Sequence, residues 1–120
     1  MSTEPLPEGR YMYEPRELKQ AKRDLLQYID AYAWKAARGE LDDSAQAEEY
    51  ASGIRTTASR YRALGGDIEE LLRERRSSTK YKFDAVQGEY CTRTGKLLYA
   101  DTGRQAEQVM AAIVSIAGTN

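Results

Sequence analysis

The sequence predicts an α+β domain in which an antiparallel helical hairpin and a short helix precede a three-stranded antiparallel meander covered by a C-terminal helix. Three observations support this fold class. Apolar residues recur every three or four positions as far as Tyr61, as in a helix, and do so again after Thr102. Between Lys80 and Val86 they alternate with polar residues, as in a half-buried strand. The chain of 120 residues suffices for one domain with its own core.

The N-terminal segment differs in composition from the rest of the chain. Residues 1–13 contain prolines and a glycine and lack apolar periodicity, so we expect a flexible arm there. Residues 14–120 are expected to form the single α+β domain. Within it, 14–76 form the helical part and 79–118 form the meander and the last helix.

The first two helices are predicted from their ends and their apolar stripes. Pro15 suits a first helical position, and the Arg38-Gly39 pair suits a helix end. The Asp42-Asp43-Ser44 run offers N-caps for a second helix, which Gly65-Gly66 ends. The stripes are Leu18, Ala21, Leu25, Tyr28 and Tyr32, then Ala47, Ala51, Ile54, Ala58 and Tyr61. Because the second stripe is mostly small, the two helices are expected to pack closely as a hairpin.

A third, short helix is predicted to open at Asp67, where Glu70 completes a capping box, and to end near Arg76. Gln87-Gly88 and Thr94-Gly95 are then interpreted as two-residue turns that join strands 80–86, 89–93 and 96–100. The apolar face of this meander would hold Tyr81, Phe83, Ala85, Tyr90, Leu97 and Tyr99.

The last helix is predicted to begin with Thr102 as its cap and to stop at Gly118. Its stripe, which would cover the apolar face of the meander, is Ala106, Val109, Met110, Ile113 and Ile116.

The order of helix, three strands and helix over residues 67–117 resembles the topology of double-stranded-RNA-binding domains and of AP2-type DNA-binding modules. The last helix opens with Arg104 alone, where the RNA-binding family has a lysine cluster, and no family is assigned.

The residue types argue against catalysis. The chain contains no histidine, which removes the commonest general base and the usual zinc sites. Its single cysteine, Cys91, has no base within a recognisable motif and is interpreted as an inert structural thiol. We therefore expect no enzyme, no catalytic residue, no cofactor and no metal.

Composition also predicts a location. A lone cysteine is typical of a reducing compartment, and residues 1–10 are acidic and proline-bearing, unlike a secretory signal. No apolar run approaches the roughly 18 residues that span a bilayer. The expectation is a cytoplasmic protein without a membrane partner.

The aromatic residues suggest a protein interface. Nine tyrosines accompany one phenylalanine and one tryptophan, and tyrosine and tryptophan are enriched where proteins meet. Trp34 lies off the main stripe of the first helix and is the favoured exposed anchor. The other candidate partner-binding residues are Tyr50, Tyr11 and Tyr13.

A basic segment supports an alternative. The net charge is −1, yet residues 73–82 hold five cations and one acid, with Tyr81 between them. Such a run suits phosphates and a stacking base, although cations also favour helix ends and solvated linkers. The candidate basic patch is Arg73, Arg75, Arg76, Lys80, Lys82, Lys96 and Arg104.

Two hypotheses follow from the sequence. The first, which the tyrosines and the lack of catalytic residues favour, is a small protein-binding module. It would be an adaptor, or an inhibitor of a larger host complex of the kind that phages and mobile elements encode. The alternative is a nucleic-acid-binding accessory protein that uses residues 73–82. A homodimer through the helical hairpin is a further possibility.

Overall fold

The computed structural model describes residues 15–41 and 44–118, so the predicted arm over residues 1–13 lies outside the described residues. Within these ranges the chain forms four helices and no strand. We label them α1 (Arg16–Ala37), α2 (Ser44–Ala63), α3 (Ile68–Thr94) and α4 (Thr102–Gly118). The predicted α+β class is therefore wrong, and the described part of the chain is all-helical.

The predicted helical hairpin is confirmed as α1 and α2. Gly39 follows the end of α1 with φ +71°, and Glu40 N donates to Lys35 O at 2.8 Å, which is the glycine-terminated end expected there. Most of both predicted stripes faces the core, although Tyr28 of the first is 39% exposed. Their buried members are Ala21, Leu25, Ala51, Ile54, Ala58 and Tyr61. Two of the predicted caps, Asp42 and Asp43, lie outside the described residues.

A close approach between the first two helices explains a glycine inside α2. A Cβ atom added at Gly53 would lie 2.3–2.7 Å from carbon atoms of the Tyr28 ring. Glycine costs about 1 kcal/mol relative to alanine within a helix. Here it lets the Tyr28 ring of α1 lie directly on the backbone of α2.

The three-stranded meander is absent, because α3 continues to Thr94 through the residues assigned to its first two strands. The segment 80–86 supports two periods. It alternates, but Thr79, Phe83 and Val86 also follow one another at spacings of four and three, and all three are buried. Tyr81, expected on the apolar face, is 69% exposed. Only the helical period buries Thr79 and Val86 together with Phe83 and leaves Tyr81 in solvent.

Of the two predicted glycine turns, one lies inside a helix and the other ends it. Gly88 lies within α3, whereas Gly95 caps its C-terminus with φ +71° and donates from its amide to Cys91 O at 2.8 Å. At the other end of α3 the predicted cap is confirmed, since the Asp67 side chain accepts from Glu70 N at 3.1 Å. With the strands absent, the topological resemblance to nucleic-acid-binding domains also disappears.

The predicted C-terminal helix is confirmed as α4, with its start corrected by one residue. The Asp101 carboxylate accepts from Arg104 N at 3.1 Å, so Asp101 rather than Thr102 caps the helix. The Thr102 hydroxyl instead donates to Asp84 of α3. Lys80 also donates to Asp84, at 2.6 Å. Both hydrogen bonds lower the pKa of Asp84, and the bond from Lys80 has the larger effect.

The four helices pack as two antiparallel hairpins, α1 with α2 and α3 with α4. Across the hairpins, α1 contacts α3 and α2 contacts α4. The main core cluster lies between all four helices and consists of aliphatic side chains with one tyrosine. Its members are Ala21, Leu25, Ile29, Ile54, Ala58, Tyr61, Ile68, Leu71, Leu72, Met110, Ile113 and Ala117.

Candidate functional site

Three segments that are distant in sequence meet where α1 ends. They are the last turn of α1, the region of α3 around Val86, and the segment that joins α3 to α4. A second core cluster of Ala37, Phe83, Val86 and Ala106 lies among them. Trp34, Leu98 and Tyr99 pack against this cluster and are partly buried. The cluster forms a small second core at this end of the bundle, and Val109 packs against both it and the main core.

The segment between α3 and α4 is held by two polar side chains. Gln87 Oε1 accepts from the backbone amides of Leu98 at 3.1 Å and Tyr99 at 2.8 Å. The Tyr99 hydroxyl donates to the carbonyl oxygens of Ala36, at 2.8 Å, and Ala37. These carbonyls belong to the last turn of α1, and Ala36 O also accepts from the amide of Gly39 at 3.0 Å. Burial raises the pKa of Tyr99.

A charged cluster lies on one side of Trp34. Lys82 is only 5% exposed; its Nζ donates to Ser78 Oγ at 2.8 Å and lies 3.3 Å from Asp30 Oδ1. Arg75 Nη2 approaches the other oxygen of Asp30, at 3.9 Å. A buried ammonium group is tolerated only with such partners. Asp30 of α1 therefore joins the two hairpins through α3.

Trp34 is half-buried beneath two cations. The Arg38 guanidinium carbon lies 5.3 Å from the ring centroid and Lys82 Nζ lies 5.9 Å from it. The sequence predicted an exposed anchor. The structure instead places part of the indole in the second core cluster.

Next to these residues is a cleft of about 230 Å³, which we call the end cleft. It is lined by Arg38, Glu40, Val86, Glu89, Tyr90, Arg93 and Leu98. Val86 and Leu98 provide its apolar surface. The Arg93 guanidinium carbon lies 5.4 Å from the Tyr90 ring centroid. Leu97, next to Leu98 in the chain, is 67% exposed.

The predicted partner-binding residues are only partly brought to this end. Trp34 lies beside the end cleft, because Arg38, which lines the cleft, lies over the Trp34 ring. Tyr50 is half-buried on α2, which contributes no residue to the cleft. Tyr11 and Tyr13 lie outside the described residues. Of the four predicted partner-binding residues, only Trp34 lies next to the end cleft among the residues that the structure describes.

Sequence reasoning missed most of the end cleft. Val86, Tyr90 and Arg93 follow one another at spacings of four and three, so they share a face once residues 80–94 form a helix. The strand interpretation placed Val86 in one strand and the other two in the next. A helical interpretation of this segment would have grouped them.

The predicted basic patch is divided between two faces. Arg75 and Lys82 face α1, where both approach Asp30. Arg76 faces α4 and lies 3.6 Å from Glu107, and Lys80 pairs with Asp84.

The remaining predicted cations belong to different elements. Arg73 lies on α3, Lys96 follows α3, and Arg104 opens α4; all three are exposed. Of the five cations in residues 73–82, four therefore approach a carboxylate within the chain.

Comparison with protein families, with curated proteins and with solved structures finds no match to this chain. None of the four described helices combines the length and the apolar character that crossing a bilayer requires. Among the described residues, no group of three or more acidic or cysteine side chains is arranged to hold a metal ion.

Proposed function

We propose that this chain is a cytoplasmic, non-enzymatic protein-binding module, and that its partner binds at the end cleft. An adaptor, or an inhibitor of a larger host complex of phage or mobile-element origin, is the kind of protein that fits. The observation that carries the proposal is the composition of the cleft and its surroundings. Tryptophan, tyrosine and arginine are the residue types that dominate binding energy at protein interfaces.

The chemistry of the end cleft indicates what the partner presents. Val86 and Leu98 offer a small apolar surface, and Leu97 adds an exposed apolar side chain beside it. Arg38 and Arg93 are cations over aromatic rings, and such stacked guanidinium groups are pre-organised to bind a carboxylate. Glu40 and Glu89 also line the cleft, so its two arginines are balanced by two acids. A segment with an apolar side chain next to an acidic one that reaches Arg38 or Arg93 matches both features.

The alternative, nucleic-acid binding through residues 73–82, has less support. Phosphate binding depends on cations that gather on one surface and can release counterions. Here the segment is divided between the α1 and α4 sides of α3, and most of its cations approach carboxylates of the chain.

Selection from a displayed library of random peptides tests the proposal, because it does not require the partner to be identified first. Wild type is the target, and the enriched peptides are assayed by fluorescence anisotropy against the Arg38→Glu/Arg93→Glu variant. The matched control is Arg23→Glu/Arg60→Glu, which reverses two exposed arginines away from the cleft. We expect enriched peptides to carry acidic and apolar residues and to bind wild type and control but not the cleft variant.

Two results would contradict this expectation. One is a set of peptides that binds the cleft variant as tightly as wild type. The other is binding of single-stranded or duplex DNA tighter than about 10⁻⁴ M at physiological salt, lost on changing Arg73, Arg75 and Arg76 to alanine. That second result would support the nucleic-acid alternative.

A further inference from the structure

A groove runs between the first half of α3 and the last half of α4, away from the end cleft. It consists of two adjoining hollows, of about 520 and 390 Å³, which share Glu69, Leu72 and Val114. Leu72 and Val114 form its apolar floor, and Val114 is 43% exposed. The groove extends along α3 from Asp67 to Arg76, which is about 14 Å of helix.

The charges change along this groove. The first hollow, beside the start of α3, is lined by Asp67 and Glu69 and by Arg62 of α2. The second hollow adds Arg73 and Arg76. The α4 side contributes no charged residue to either hollow. A ligand in the groove would therefore meet a mainly acidic end and a basic end above one apolar floor.

The two arginines of the second hollow are accessible. Arg76 lies 3.6 Å from Glu107, and both side chains are more than half exposed. Arg73 is exposed, and among the residues that the structure describes no carboxylate lies within ion-pair distance of it. A carboxylate that entered the second hollow would thus meet a guanidinium group without an ion-pair partner.

The chain that precedes α1 joins the bundle near the acidic end of the groove. α1 and α3 run in the same direction, since Asp30 lies beside Arg75 and, seven residues on, Ala37 clusters with Phe83. The start of α1 is therefore close to the start of α3. Residues 1–14 precede it and lie outside the described residues. Fourteen residues extend to about 46 Å at most, and packed helices lie about 8–10 Å apart, so the whole groove is within their reach.

The order of charges in this N-terminal segment matches the groove. A segment that leaves α1 and enters beside the start of α3 runs backwards along the groove. Arg10 therefore comes first, and Glu8, Leu6 and Glu4 follow. Arg10 then meets the acidic end, the two glutamates meet the basic end, and Leu6 lies over the apolar floor. From residue 10 to residue 4 an extended chain spans about 19 Å, which covers the length of the groove.

The covalent link favours this occupant over a separate protein. A segment tethered by a short linker has an effective concentration in the millimolar range, so a contact with a dissociation constant of about 1 mM already fills the groove in much of the protein. Both neighbours of Leu6 are prolines. Their restricted backbone lowers the entropy that binding costs.

We propose that residues 4–10 bind in the α3–α4 groove of their own chain and cover its apolar floor. The proposal does not depend on the function assigned to the end cleft, which this contact leaves free. Because the charged pairs lie at an exposed rim, raising the salt concentration should release part of the segment.

Paramagnetic broadening of NMR signals tests the proposal with the full-length chain. A nitroxide is attached at Ser2→Cys in a Cys91→Ser background, and the backbone amide signals of the ¹⁵N-labelled protein are recorded. We expect the amides of Leu72, Arg73 and Val114 to lose intensity, and that of Leu97, at the far end of the bundle, to keep it. When nitroxide and isotope are on different molecules, no signal should weaken, since the contact is within one chain.

Variants on both sides of the contact sharpen the test. Leu6→Asp removes the apolar side chain of the segment, and Arg73→Glu reverses a charge of the groove. Each should restore the intensity of the groove amides. The matched control is Arg60→Glu, which reverses an exposed arginine outside the groove and should leave the broadening as it is.

Several results would overturn the proposal. They are groove amides that keep their full intensity, broadening that is equal at both ends of the bundle, or broadening that persists in Leu6→Asp and Arg73→Glu. Broadening between different molecules would assign the groove to a second copy instead. Circular dichroism checks that the variants are folded. Leu6 precedes all four described helices, so Leu6→Asp decides the matter if Arg73→Glu is unfolded.

Discussion

In the half of the bundle near the α2–α3 turn, aliphatic side chains from all four helices fill the core, whereas the end near Trp34 is held largely by polar contacts. Leu25, Ile54, Leu72 and Ile113 represent the first region, one from each helix. In the second region, few large side chains are buried. Phe83 packs there against Tyr99, with their ring centroids 5.4 Å apart. The Tyr99 hydroxyl donates to a carbonyl at the end of α1.

The first region is stabilised by apolar stripes that recur at helical spacing, and the second by hydrogen bonds between residues distant in sequence. Aliphatic burial depends on the total apolar area removed from water, and it tolerates exchange among similar side chains. A hydroxyl that reaches carbonyls more than sixty positions away depends on one geometry. The end near Trp34 should therefore be the more sensitive to single polar changes, and it is also where the end cleft lies.

The largest expected effect tests the aliphatic region. Ile113→Ala should lower the free energy of unfolding by about 2–5 kcal/mol, because Ile113 is fully buried among all four helices. Leu97→Ala should change it by less than about 0.5 kcal/mol, since Leu97 is 67% exposed. Urea melts measure both. The meander would instead have buried Leu97 beneath α4, so equal losses for the two variants would contradict the helical fold.

The parts of the fold that could be predicted are those with one consistent local signal. The α1–α2 hairpin and α4 each combine an end signal with a stripe at spacings of three and four, and the start of α3 has the capping box of Asp67 and Glu70. Residues 80–86 carry two periods at once, and propensity alone does not choose between them. The choice depends on Phe83 packing against Ala37 and Ala106, which are distant in sequence.

The candidate site could be predicted less well than the fold. Trp34 was identified from its position off the main stripe, but nothing in the sequence indicates that Arg38 and Lys82 lie over its ring. The basic segment was interpreted as one patch because its residues are adjacent in the chain. A helix turns by 100° per residue, so adjacent cations point in different directions.

A smaller effect tests the polar end. Tyr99→Phe should lower the free energy of unfolding by about 0.5–1.5 kcal/mol at neutral pH, because the hydroxyl bonds to Ala36 and Ala37 are lost. Burial raises the pKa of Tyr99 above its ordinary value of 10.0, so folding favours the neutral phenol. That stabilisation is fully present below pH 10.0 and is lost as the pH rises through the raised value.

The pH dependence provides the measurement for this residue. Urea melts of wild type and Tyr99→Phe at pH 7 and at about pH 11 should show the difference between them shrinking at the higher pH. A difference that grows on raising the pH would mean that the Tyr99 phenol is not held by burial at the end of α1.

The smallest expected effect, that of Gly88→Ala, distinguishes the long helix α3 from the meander most directly. Gly88 lies in the interior of α3, and a Cβ atom added there would meet no atom within 4 Å. Gly88→Ala should therefore raise the free energy of unfolding by about 0.5–1 kcal/mol, since alanine is the better helix former. Gly95 is the matched comparison, because its φ of +71° disfavours any residue with a Cβ. Gly95→Ala should lower the free energy of unfolding by about 1–2 kcal/mol. Had both glycines been hairpin turns with positive φ, both substitutions would be destabilising, so a loss of stability in Gly88→Ala would contradict the continuous helix.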